Sequence, residues 1–191
     1  MHKTAKILLL LFPLAFAQIS NAQTSYHAGS KPDMTLYGSS TLHNWTMDAH
    51  TFAVSAQFTI ADNQLTALNA LMVVLPVHNL KSDHSSMDDN AYDALKADKY
   101  KDIVFKLTSA TVTPHGSQYQ IAASGNLTIA GATKAVTLNT TAVLNADGSI
   151  SCSGTLPLKL SEFNIDRPSF MLGTMKVGDG LTLNYSLVFV K

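Results

Sequence analysis

His78, Asp83, His84 and Asp88 lie in one short stretch, and two imidazoles with two carboxylates form a donor set that zinc accepts. Their spacing matches no tight metal motif such as HExxH. Asp83, His84 and Asp88 sit in a polar segment that reads as the entry to a helix, so the favoured reading is a solvated loop. Asp89 and Asp93, at i and i+4 of that helix, face solvent and lack the burial that would make either one a general acid. For nucleophilic catalysis the best candidate is His43, beside Trp45 and just after Ser39 and Ser40. A serine hydrolase also needs a buried acid and an oxyanion hole. The chain has neither a GxSxG elbow nor a CxxC pair, so His43 and Trp45 read as structural or mouth residues. Cys152 is the single cysteine; in "SISCSGTLPLKL" it shares the apolar register of Ile150, Gly154 and Leu156 and reads as a buried, inert thiol. No catalytic residue, metal ligand or cofactor is assigned, and the expectation is a protein that is not an enzyme.

The elements that carry these residues begin after a leader. Lys3 and Lys6, an apolar run from Ile7 to Ala17 and the small-x-small triplet Ser20-Asn21-Ala22 read as a secretory signal peptide over residues 1–22; the apolar run is short and interrupted by Pro13, so an uncleaved membrane anchor is the weaker reading. The remaining domain, residues 23–191, is expected in a periplasmic or secreted compartment. Of the 13 basic residues two fall in the leader, leaving 11 against 13 acidic ones and a formal charge of −2. With one arginine, Arg167, and no basic-aromatic stripe, nucleic acid is excluded as a partner. One cysteine gives no internal disulfide, so an apolar core must carry the stability.

After a polar lead from Gln23 to Pro32, period-2 alternation dominates. Phe52/Val54/Ala56/Phe58/Ile60, Ile103/Phe105/Leu107, Tyr119 through Ile129, Val136 through Leu144 and Leu181 through Phe189 each put apolar side chains on one face. Turn chemistry separates the runs at Ala61–Asn63, Pro114–Ser117, Ala130–Lys134, Asn145–Ser149 and Val177–Gly180. About eight strands joined mostly by hairpin-length loops make an antiparallel sandwich or closed barrel. Two segments depart from the pattern. "MDDNAYDALKADKY", Met87–Tyr100, is a short helix with a Met87/Ala91/Leu95 stripe beside Tyr92. Asp88, Asp89, Asp93, Lys96 and Lys99 face outward, and Ser85 or Ser86 serves as N-cap. Ser161–Gly180 is too long for a hairpin and suits a mouth loop, in which Phe170, Met171, Leu172 and Met175 either gate a hydrocarbon or simply tuck onto the barrel end.

An eight-stranded barrel is just wide enough to be filled by side chains or to hold one small ligand. The inward register mixes Phe52, Phe58, Phe105, Tyr119 and Tyr185 with Ala56, Ala123, Gly125, Ala142 and Gly154. The small residues can leave a channel or merely match the large ones, and the pattern leaves a hollow and a filled barrel both open.

The segments "MDDNAYDALKADKYKDIVFKLTSA", "GNLTIAGATKAVTL", "LPLKLSEFNI" and "KVGDGLTLNYSLVF" resemble, in order and spacing, the YceI-like family of exported lipid-binding proteins, and "YGSSTLHNW" is similar to the N-terminal signature of one branch. The resemblance runs from about Met34 to Lys191. It implies an all-β fold, an elongated eight-stranded, lipocalin-like antiparallel barrel with one short helix packed on it, whose interior holds a polyisoprenoid, isoprenoid quinone or similar amphiphile. The sequence departs from the family pattern at Lys101 and Ala135, where proline is frequent, and at "EFNI", where "DFGI" is common. On this reading ligand contacts are expected at Trp45, Phe52, Val54, Phe58, Phe105, Leu107, Tyr119, Ile121, Phe163, Met171, Met175, Tyr185 and Leu187. The partners are an apolar lipid and, as an assembly left open, a second copy in a homodimer. The alternative is a filled barrel that serves as a stress or partner-binding module.

Overall fold

In the computed structural model, residues 23–29, 32–170 and 174–191 are described, without the side chains of Gln23 and Phe170. The expected leader, residues 1–22, lies outside them. The described residues form twelve strands: β1 (Gln23–Ala28), β2 (Asp33–Ser39), β3 (Asn44–Ala49), β4 (Ala53–Ala61), β5 (Gln64–Pro76), β6 (Asp102–His115), β7 (Gln118–Ile129), β8 (Ala132–Leu144), β9 (Ile150–Lys159), β10 (Ser169–Phe170), β11 (Met175–Lys176) and β12 (Gly180–Val190). One α-helix, α1 (Ser85–Leu95), lies between β5 and β6.

Ten of these strands form eight staves of a closed antiparallel barrel. β1 and β2 are halves of one stave and β3 and β4 halves of the next. The register Gln23↔Thr59 to His27↔Ser55 continues as Met34↔Ala49 to Ser39↔Asn44. From β4 the order runs β5, β6, β7, β8, β9 and β12, and β12 closes the ring on β1 at Val190↔His27 and on β2 at Ser186↔Asp33. The segment read as a polar lead is therefore a closing strand. Within it only Tyr26 among the described side chains is fully buried, edge-on to Phe58 at 5.4 Å, so the single large inward residue gave no visible period.

Alternation holds along the remaining staves because one face lines the interior. In β7 Ile121, Ala123, Leu127 and Ile129 are buried while Gln120, Ala122 and Asn126 are exposed. β6 keeps Ile103, Phe105 and Leu107 inward until a bulge at Thr108 resets the phase to Ala110 and Val112. The two ends differ. At one, tight turns place Asp62 (φ 51°), Asn63 (φ 58°), Gly116 (φ 61°) and Gly148 (φ 81°) in the left-handed region. At the other lie the β2–β3 turn, α1, a 3₁₀ turn at Leu160–Phe163 and the β10–β11 hairpin. This crowded end is the mouth.

Candidate functional site: an apolar cavity entered from the helix end

The barrel is hollow. A cavity of about 510 Å³ runs from Phe58, Phe189 and Leu187 at depth to the helix and loops of the mouth, a volume within the roughly 300–1,000 Å³ of small-molecule sites. Its wall is almost wholly aliphatic and aromatic. The ionisable side chains in the lining besides Cys152 and Tyr185 are His43, His84, Lys159 and Lys176, all exposed at the mouth.

Each mouth element is fixed by identifiable contacts. α1 turns Met87, Ala91 and Leu95 to the cavity, as its stripe predicts. The opposite tie is polar and differs from expectation. Asp88 is 6% exposed rather than outward-facing, and its Oδ1 accepts from the Ser82 amide (2.7 Å) and hydroxyl (2.8 Å). The Lys81 ammonium stands 3.6 Å from Oδ2. Desolvation is the largest influence on Asp88 and pushes its carboxyl up, yet Ser82 and Lys81 together outweigh it and hold it below the ordinary value. Tyr92 Oη donates to the carbonyls of Leu80 (2.8 Å) and His78 (3.1 Å). The N-cap is His84, without a side-chain bond, rather than Ser85 or Ser86, because Ser82 and Asp88 already organise the entry. Lys96 ends the helix in the left-handed conformation.

Across the mouth, Ser161 donates its amide and hydroxyl to the Asp179 carboxylate at 2.8 and 2.7 Å, pinning the 3₁₀ turn to the start of β12 and setting Phe163 in the cavity wall. Asn164 is left-handed (φ 55°), a conformation Asn tolerates among non-glycine residues, so "EFNI" keeps a turn in which glycine is common. The β2–β3 turn meets the β10–β11 hairpin through the Thr41 amide and Lys176 carbonyl at 3.1 Å, with Leu42 65% exposed at its tip.

Of the residues expected to touch a ligand, Trp45, Phe58, Phe105, Ile121, Phe163, Met175, Tyr185 and Leu187 line the cavity. Phe52 and Val54 are buried in the core without lining it. Leu107 and Tyr119 are partly buried against that core, short of the cavity. Alternation gives the face of a strand; position along the barrel axis decides between wall and solid core. Met171 lies outside the described residues.

The interior glycines do not open the channel. A Cβ on Gly125 would stand 2.5 Å from the Phe105 ring, and one on Gly154 would stand 2.2 Å from Tyr185 Oη, so each glycine seats an aromatic ring from a neighbouring strand. The space comes instead from the span between walls, including Leu68, Leu138 and Leu183, none of them among the expected ligand contacts.

The chemical candidates are drawn apart. The Ser40 hydroxyl donates to the His43 carbonyl (3.0 Å) and accepts from the amides of Leu42 and His43, a local turn. Trp45 Nε1 donates to the Ser39 carbonyl and its indole covers Gly38. His78 packs edge-on against Tyr92 while Asp88 faces Ser82, and among the described residues no three His, Cys, Asp or Glu side chains gather as metal ligands. Cys152 lines the cavity as a free thiol that burial pushes up to about 12. Among the described residues no helix is long and apolar enough to cross a membrane.

The YceI-like domain family matches residues 22–189. No curated protein matches. Among solved structures, BcnA of Burkholderia cenocepacia superposes with a TM-score of 0.66 at 20% identity, over 82% of this chain and 95% of that one. A polyisoprenoid binding domain from Saccharophagus degradans gives 0.66 at 10% identity, over 88% and 98%. The Campylobacter jejuni YCEI protein gives 0.55 at 19% identity, over 96% and 94%. At these identities the likeness is one of fold.

Proposed function

The chain belongs to the YceI-like family, and from that premise we propose that it is a non-enzymatic carrier or store for a long apolar amphiphile, of the polyisoprenoid, isoprenoid quinone or similar lipid class. The observation that carries the reading is the cavity of about 510 Å³ with an apolar wall and its charged groups confined to the mouth. Each CH₂ moved from water to such a wall contributes about 0.8 kcal/mol, so a long chain needs few polar contacts to be held. A buried ion would find no partner at depth, so a charged headgroup belongs at the mouth with His43, His84, Lys159 and Lys176. Apart from the lipid the chain needs no cofactor. The Saccharophagus degradans domain of the same fold is described as polyisoprenoid binding, which supports the ligand class.

Function in the exported compartment follows from reading residues 1–22 as a leader. Sedimentation reads directly whether a second copy joins this chain in a homodimer. Solvent extraction of protein purified without detergent from several expression hosts, with mass spectrometry of the extract, tests the carrier reading. An isoprenoid, quinone or acyl lipid should appear in near-stoichiometric amount. Lipid-free protein from every host would favour a module that works without a ligand.

A further inference from the structure

Two hydroxyls interrupt the apolar wall at depth. Tyr185 Oη and Thr140 Oγ1 lie 2.7 Å apart, their residues 9% and 8% exposed, on β12 and β8 with Gly154 of β9 between them. Both residues line the cavity. Tyr185 is five residues in from Gly180 at the mouth, about 16 Å at roughly 3.3 Å per strand residue.

Two protons must be accommodated, and one is poorly placed. If Thr140 donates to Tyr185, the phenol proton is left with the Asn139 carbonyl at 3.4 Å, beyond the roughly 2.5–3.0 Å of a good O–H···O bond. If Tyr185 donates to Thr140, the threonine proton has no acceptor among the described residues. A ligand oxygen beside the pair would take that proton. Since no charged side chain reaches this depth, the oxygen must be uncharged.

Resting on the carrier reading, we propose that the Tyr185–Thr140 pair is a specificity site within the cavity, selecting long-chain ligands that carry an uncharged carbonyl or ether oxygen on the buried part of the chain. The pair then does more than satisfy itself. It discriminates between two hydrocarbons of equal length by whether a hydrogen-bond acceptor travels with the chain, and it fixes how far the chain enters. Burial supports the donor role, since it holds the Tyr185 phenol up and therefore protonated at every physiological pH, against the opposing bond from Thr140.

The test is competition between a linear long-chain alkane and the ketone of equal chain length with its carbonyl near one end. Both are offered in equal amounts to delipidated protein, and the bound ratio is read by native mass spectrometry. The wild type should take the ketone over the alkane by about fivefold, the order expected for one net hydrogen bond. Tyr185→Phe should lower the ratio, and Tyr185→Phe with Thr140→Val should bring it to about one. Both changes are close in shape, and thermal unfolding of each variant reports that the barrel is retained. Equal binding by the wild type, or an unchanged ratio in the double variant, overturns the specificity site and leaves the carrier reading standing. Failure of the wild type to take either probe overturns both.

Discussion

Phe105 borders the cavity and also rests on Gly125, so part of its ring faces empty space when no ligand is present. In a filled core Phe→Ala costs about 3–5 kcal/mol, because transfer and cavity formation add. Phe105→Ala in delipidated protein should cost less, on the order of 1–2 kcal/mol by denaturant unfolding, since the empty barrel already lacks some of those contacts. Retained lipid should fall or shift to bulkier chains. Cys152 gives a second expectation at this scale. Its thiol ionises near 9.0 when unfolded and near 12 when folded. Raising the pH from 8 to 10 therefore ionises the unfolded chain alone, and stability should fall by about 1 kcal/mol, with further loss toward pH 12. Cys152→Ala should remove that part of the slope in paired unfolding curves, and an equal slope would place the thiol in water. The registers of Phe105 and Cys152 were legible from alternation. The seating of rings on Gly125 and Gly154 was not, because it depends on which strands are neighbours.

α1 owes its place to contacts on opposite sides: an apolar stripe on the cavity and the Asp88–Ser82–Lys81 cluster on the flank. Asp88→Ala leaves the Ser82 amide without its acceptor, while the Ser82 hydroxyl keeps the His84 carbonyl at 2.9 Å, and the loss should be about 1–3 kcal/mol. Because the folded carboxyl is held below its ordinary value, its contribution is present above about pH 4 and is lost as the pH falls through the depressed value. The gap between wild type and Asp88→Ala should thus narrow in acid, and a pH-independent gap would mean the carboxylate is not the bonded form. The stripe was readable from helical spacing, whereas the burial of Asp88 was not, since Ser82 reaches it from a loop that spacing does not describe. β1 was missed for a related reason: its backbone pairs with β4 and β12, but a single large buried side chain does not make a period.

Closure is a property of the whole chain, and it turns eight alternating staves into a container. Sequence alternation with short turns was enough for an antiparallel all-β fold of about eight staves, while the choice between sandwich and closed barrel rested on the family resemblance. Whether the interior was full was not legible, because it depends on barrel radius as well as on side-chain size. Export belongs to this scale too: intact mass of the processed protein should show a start near Gln23, and a product retaining Met1 to Ala22 would contradict the leader. The account's central claim, that the cavity holds one apolar chain, is met most directly by native mass spectrometry of the wild type beside Ala123→Phe. Ala123 is 1% exposed on the cavity wall, and a ring there occupies the space a ligand would use at an overpacking cost of about 1–3 kcal/mol. The wild type should carry a single lipid adduct per barrel and the folded variant should lose it. An adduct of the same mass and occupancy on both would put the lipid outside the barrel and contradict the account.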